Sequence, residues 1–504
     1  MESLGARTSR SVVAAIPLVL VPALGLTQGG FQPDAWVWAG ALAAWAAAIA
    51  VVVSPNPGAL RGQWPWAAAA GALLLWTLAS ATWSVHAAQS VLEARRTLLY
   101  AAVVLALLLL ARRDASRLLV PATHIAVAAL IVYALGHYLL GARRSTEFEA
   151  FLLFEPLGYA NAVGIVAALG ILLAVGIAAE SSARLRRGAV AATVPPLAVA
   201  LLFAQSTASW LALAVGCAVT AVLGQATVRF LATLAIVTPP TAVLLWVGNY
   251  SRFAADVPTP RLSGAAVAGI TVACAAAAGA LAARMRLPAA RPSTARTRRL
   301  ILATVVVLAL AAGAAVAHTG AKEPRASYFH VAWHDEYLAH PLLGSGAGTF
   351  GRYWERDGKP LELGGALDAH SLYLETLAEL GPIGLVLLLA VLLVPLRSTL
   401  RRRNAPYVPA ALGAYAAFLV HAGLDWDWEL PVVVVTALCC AAAVGAAELG
   451  PERPLGRAAR GAVLAVALVL GGSAIAGARS NTVPEAAPNP ERAPRRGALS
   501  QTRA

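Results

Sequence analysis

The stretch Gly158-Tyr-Ala-Asn-Ala-Val-Gly-Ile-Val-Ala-Ala-Leu-Gly-Ile-Leu-Leu-Ala-Val-Gly-Ile-Ala-Ala179 carries neither a carboxylate nor a basic side chain, and Arg184, Arg186 and Arg187 follow it closely. Wound as a helix at 1.5 Å per residue, a run of this length crosses the roughly 30 Å hydrocarbon core of a bilayer. Runs of the same kind lie at 11–27, 35–53, 65–83, 97–111, 117–140, 189–204, 209–224, 229–247, 264–282, 299–317, 381–397, 407–422, 430–447 and 461–478. They predict an all-α fold, a polytopic membrane bundle of about 12–15 transmembrane helices. Pro195-Pro196 and Pro239-Pro240 are expected to kink or break their helices. The 189–224 stretch reads as two short spans or one broken unit.

Composition agrees. The chain is 59% hydrophobic and 13% charged, with a mean hydropathy of +0.69. A soluble domain carries about 25% charged residues. The net charge of +14 does not point to nucleic acid, because the positive residues cluster in short loops between spans. Cys217, Cys274, Cys439 and Cys440 lie inside apolar runs and offer neither a disulfide framework nor zinc-ligand spacing. Arg7, Arg10 and the apolar run from Ser11 imitate a signal peptide, but so many following spans favour a first transmembrane helix.

Orientation follows from arginine. Arg112, Arg113 and Arg117 mark one cytoplasmic loop, and Arg184, Arg186 and Arg187 a second. Arg284, Arg286, Arg291, Arg296, Arg298 and Arg299 mark a third, and Arg397 and Arg401 to Arg403 a fourth. Alternating spans put all four on one side, with the N-terminus cytoplasmic and residues 318–380 outside. The chain thus divides into a transmembrane region (1–317), a large external loop expected to hold short amphipathic helices (318–380), C-terminal spans (381–478) and a disordered Pro/Arg-rich tail (479–504). Aromatic residues Tyr328, Phe329, Trp333, Tyr337, Phe350, Tyr353 and Trp354 argue that the loop is ordered.

The loop ends in Asp368-Ala-His-Ser-Leu-Tyr-Leu-Glu-Thr-Leu-Ala-Glu-Leu-Gly-Pro382. Here Asp368 is placed to cap a helix whose one face holds His370, Tyr373, Leu374 and Leu377 and whose other holds Ser371, Glu375 and Glu379. Gly381-Pro382 should break it just before the next span. His370 then sits at the helix N-terminus, where the dipole favours the neutral imidazole that a general base needs. Upstream lie Arg325-Ala-Ser-Tyr-Phe-His-Val-Ala-Trp333 and His340-Pro-Leu-Leu-Gly-Ser-Gly-Ala-Gly-Thr-Phe350.

Pro341–Phe350 followed by DAHSLYLETLAELGPIGL resembles the signature of the O-antigen ligase/O-antigen polymerase superfamily, and His421–Pro431 (HAGLDWDWELP) resembles a motif of some members. The close likeness covers about 325–390. It implies a bacterial inner-membrane enzyme of cell-surface polysaccharide biosynthesis, working without metal or cofactor. The donor would be a glycan on undecaprenyl diphosphate, and the acceptor a glycan or lipid at the outer face. Membrane lipids and polysaccharide-assembly proteins would be its other partners. It further implies His370 as the catalytic base and Arg325 as the residue holding the diphosphate. The family's second arginine has Thr207 in its place here; Arg95 and Arg96 are placed to compensate. A lipid diphosphate leaving group calls for cationic donors, and arginine's planar fork suits phosphate oxygens.

Further candidates are weaker. Arg352 and Arg356 are alternative substrate contacts, and Tyr373 and Glu375 are placed to orient His370. Asp425 and Asp427 read as a solvated turn. Gly346-Ala-Gly-Thr-Phe-Gly351 matches G-x-G-x-x-G without a βαβ context, leaving a tight turn or an anion-holding nest. His330 and His334 have helical metal spacing but no evident third ligand. The rival function is a transporter or flippase of lipid-linked sugars, which needs the arginines but no base.

Overall fold

A computed structural model describes residues 4–480, apart from 54–59, 112–114, 147–148, 300–323, 358–365, 399–404, 447–455 and positions 258, 287, 290, 293 and 298. In chain order the helices are α1 (Leu4–Leu26), α2 (Pro33–Val53), α3 (Leu60–Ser80), α4 (Ala87–Leu110), α5 (Ser116–Leu140), α6 (Ala160–Glu180), α7 (Arg184–Ala191), α8 (Val194–Ala204), α9 (Thr207–Leu223), α10 (Thr227–Ser251) and α11 (Gly264–Arg284). There follow α12 (Pro324–His330), which runs on as a π-helical segment over Val331–Tyr337, then α13 (Phe350–Asp357), α14 (Leu372–Leu393), α15 (Val408–His421), α16 (Pro431–Ala446) and α17 (Arg457–Ser480). Among the described residues there is no strand beyond the single bridge Thr146–Ala150.

Eight of these segments are long and apolar enough to cross a membrane, and four shorter apolar helices accompany them. The chain is a multi-pass membrane protein. Its outward side chains agree: Trp45, Ile49, Leu75, Tyr133, Val272 and Val386 are exposed on helix faces, a surface suited to lipid rather than water. At the centre, α6 is buried from Ala162 to Ala179. Small residues permit this. Where Gly176 faces α15, a Cβ would stand 2.2 Å from the Ala410 Cβ, so glycine there lets two backbones approach as close-packed membrane helices require.

Each predicted span has a helix except 299–317, which beyond its first residue lies outside the described residues, as do Arg112, Arg113, Arg298, Arg401 to Arg403, most of the tail, and 318–323 and 358–365 of the loop. Two details differ, and one open alternative is resolved. The helix expected over 97–111 begins at Ala87 and takes in Arg95 and Arg96. Burial of Arg96 between carboxylates lets the helix run through a charged turn. The 189–224 region resolves into separate helices. Pro195 and Pro196 fall in the first turn of α8, where a missing N–H costs nothing, and Gln205 ends α8 in the left-handed conformation. By contrast, Pro239 and Pro240 do not break α10. The Thr238 and Thr241 hydroxyls donate to the carbonyls of Leu234 and Val237, on either side of the two carbonyls that proline deprives of donors.

Candidate functional site

The site is built around the turn that leads into α14. His370 precedes the helix rather than opening it: the first helical residue is Leu372, and His370 has φ 54°. That left-handed backbone is uncommon outside glycine and costs on the order of 1–3 kcal/mol. Two carboxylates hold it. Asp368 Oδ1 accepts from the His370 backbone N–H at 3.1 Å and pairs with His370 Nδ1 at 2.7 Å. Glu375 Oε2, one turn into α14, accepts from the Ala369 N–H at 2.6 Å. Asp368 therefore caps the turn and not the helix. The Tyr328 ring stacks on the imidazole with centroids 4.5 Å apart. The break at Gly381 is present, with φ 66° and ψ −174°.

The electrostatics of His370 differ from the dipole-based expectation. Burial pushes its pKa down, but the hydrogen bond and charge of Asp368, with the charge of Asp425 added, outweigh it and hold the imidazole above its ordinary 6.5. The imidazolium is thus stabilised by a partner two residues away. With Nδ1–H donated to Asp368, the neutral tautomer carries its lone pair on Nε2.

The glycine-rich stretch 344–351 is folded onto α14. Gly346 N–H donates to the Glu379 carbonyl at 2.8 Å, and the Glu379 carboxylate accepts from Gly348 N–H at 2.7 Å and Phe350 N–H at 3.0 Å. The nest that the sequence offers to an anion is filled by the chain's own carboxylate. Glu336 lies behind it, fully buried, accepting from the Ser345 hydroxyl at 2.6 Å and the Thr349 hydroxyl at 3.1 Å. Burial pushes its pKa up to about 7. A Cβ at Gly344, whose φ is +75°, would stand 2.2 Å from the Glu379 carbonyl oxygen. Gly344→Ala is expected to destabilise the protein by about 1–3 kcal/mol, read as a lower unfolding midpoint in detergent; an unchanged midpoint would contradict this packing.

Beside the turn opens a cavity of about 1080 Å³, lined among others by His370, Asp368, Tyr328, Trp426, Glu429 and Arg144. Of the residues predicted from sequence only His370 lines it. Arg325 lies on α12 one turn before Tyr328, so the stacked tyrosine brings it into the neighbourhood of His370. Its Nη2 lies 3.1 Å from Asp425 Oδ2, and its side chain is 37% exposed. Asp425 also accepts from Tyr159 Oη at 2.8 Å and Asn161 Nδ2 at 2.7 Å. Far from forming a solvated turn, Asp425 and Asp427 are both buried. Asp427 pairs with His421 Nδ1 at 3.2 Å, and His421 Nε2 lies 2.9 Å from Ser209 Oγ. Those contacts resemble a hydrolase triad, yet all three residues are at most 1% exposed. Buried inside the bundle, they tie α9 to the turn between α15 and α16.

The remaining predicted residues lie apart. Arg96 is buried between Glu93 and Glu429, 2.9 Å from Glu429 Oε1, with the Trp36 and Trp428 rings beside its guanidinium. It faces a separate apolar cavity of about 130 Å³ that Glu375 also lines. Arg95 is half-buried on the same helix, and Arg352 and Arg356 are exposed on α13, Arg356 over the Tyr353 ring. Tyr373 Oη donates to the Leu419 carbonyl at 2.7 Å and so fixes α14 to α15 instead of touching His370. His330 and His334 stack with ring centroids 4.5 Å apart, and no group of three or more metal-ligating side chains occurs among the described residues. Residues that the sequence reading left without a site role are Tyr328, Glu429, Arg144 and, as partner of His370, Asp368; the last had a signal in the Asp-x-His spacing.

Compared with known proteins, the sequence matches no family model and no curated protein.

Proposed function

We propose that the chain is a metal-independent glycosyltransferase of the O-antigen ligase/polymerase kind. It would transfer a glycan from a polyprenyl diphosphate such as undecaprenyl diphosphate to an acceptor at the outer face of the bacterial cytoplasmic membrane. The observation that carries this reading is the Asp368–His370 pair at 2.7 Å on the wall of the large cavity. In the reaction the acceptor hydroxyl gives its proton to His370 Nε2 as its oxygen attacks the anomeric carbon. The bond from that carbon to the diphosphate breaks with its electrons on the phosphate oxygen. Asp368 stabilises the imidazolium so formed. Arg325, and Arg144 on the cavity wall, are the guanidinium groups assigned to the departing diphosphate. Glu375 holds the turn by its bond to Ala369.

A base whose pKa is raised is neutral only above that pKa. The transfer rate should therefore rise with pH through a midpoint above 6.5, and Asp368→Asn should move the midpoint to lower pH, because burial then acts on the imidazole with less opposition. A midpoint that stays in place in the variant would remove Asp368 from this role.

Enzyme and transporter are separated by the product. Full-length protein in liposomes, given labelled lipid-linked glycan, an acceptor saccharide and EDTA, is expected to release polyprenyl diphosphate and form a new glycosidic bond. Movement of intact lipid-linked glycan across the bilayer without bond exchange would favour the transporter reading instead.

A further inference from the structure

A second pocket, of about 650 Å³, lies where α8 and α10 end and α9 begins. Its volume is in the range of small-ligand sites. Its chemistry is unlike that of the His370 cavity. Among the described residues, that cavity is walled by four carboxylates, Glu149, Glu155, Asp368 and Glu429. Among the described residues, the second pocket is lined by no carboxylate and by two guanidinium groups, Arg252 and Arg261. Two aromatic rings form part of its wall: Trp246 and Tyr250 stack with centroids 5.6 Å apart at 13°, and the Arg261 guanidinium lies 5.2 Å from the Tyr250 centroid. Amides from Gln205 and Asn249 and the Thr207 hydroxyl add to the polar lining.

One further fact separates this pocket from an ordinary aromatic rim at a membrane surface. Gln205 lines both this pocket and the His370 cavity, so the two adjoin. Aromatic rings, amides and two arginines beside a reaction cavity form a lining suited to a ring-shaped, hydroxylated and anionic ligand.

We propose that this pocket binds a negatively charged sugar unit of the glycan, carrying a carboxylate or phosphate, at a subsite next to the His370 cavity. The proposal rests on the glycosyltransferase reading for the ligand's role as substrate, while binding is testable without turnover. The full-length protein in phosphatidylcholine nanodiscs would be titrated with tetragalacturonate, and with neutral maltotetraose, following tryptophan fluorescence and heat. Tetragalacturonate is expected to bind roughly tenfold or more tightly than maltotetraose, and Arg252→Gln with Arg261→Gln is expected to erase that preference. His370→Asn should bind it as wild type does, so a failure of the catalytic reading would leave this result standing. Equal affinity for the two saccharides, or a charge preference that survives in the double variant, would overturn the proposal. Loss of tetragalacturonate binding when phosphatidylglycerol is added to the nanodiscs would also overturn it, by showing that a lipid headgroup takes the site.

Discussion

Replacing His370 by Asn is expected to slow glycan transfer by about 10²- to 10⁴-fold, the range that a positioned general base contributes. Donor affinity should be unchanged. Asparagine is the informative substitute because the backbone at this position has φ 54°, which asparagine tolerates better than alanine. A drop in rate then reports the imidazole and not a collapsed turn. Single-turnover transfer at saturating donor, with donor binding measured separately, makes the distinction. Undiminished transfer would remove His370 from the chemistry, and a parallel loss of donor binding would recast it as a substrate contact.

Arg96→Leu is expected to act on stability. Its guanidinium sits between Glu93 and Glu429 with only 5% of the side chain exposed. Deleting it leaves two carboxylates facing each other in a largely apolar setting. Breaking a buried ion pair in this way typically costs about 3–5 kcal/mol, so the unfolding midpoint in detergent should fall well below that of wild type. Converting Glu429 to Gln at the same time should recover part of the loss, since it removes one of the stranded charges. A variant as stable as wild type but unable to bind the lipid diphosphate donor would make Arg96 a phosphate ligand after all.

The helices were legible because their signal is long and one-dimensional: an apolar run such as 158–179 needs no partner to declare itself, and α6 occupies it. Helix ends were less so. The start of α4 depends on Glu429, which lies far along the chain and neutralises Arg96, and periodicity carries no such information. The candidate site was half legible. The Asp-x-His spacing and the Glu375 position are local, and both hold the His370 turn. The misreadings concern non-local pairing. The glycine stretch reads as a tight turn or an anion-holding nest, and only its distant partner Glu379 shows that the anion it holds is the chain's own. Asp425 looked solvated because its partners Tyr159, Asn161 and Arg325 come from α6, its approach and α12. Tyr328 had no local signal, since stacking on His370 is set by how α12 lies against α14.

The most direct measurement is glycan transfer from a polyprenyl diphosphate donor by the purified full-length protein in EDTA, comparing wild type with His370→Asn at equal donor occupancy. Transfer by wild type that persists in the chelator and is lost in the variant is the predicted result. Equal transfer by both proteins would contradict the assignment of the Asp368–His370 pair as the catalytic base.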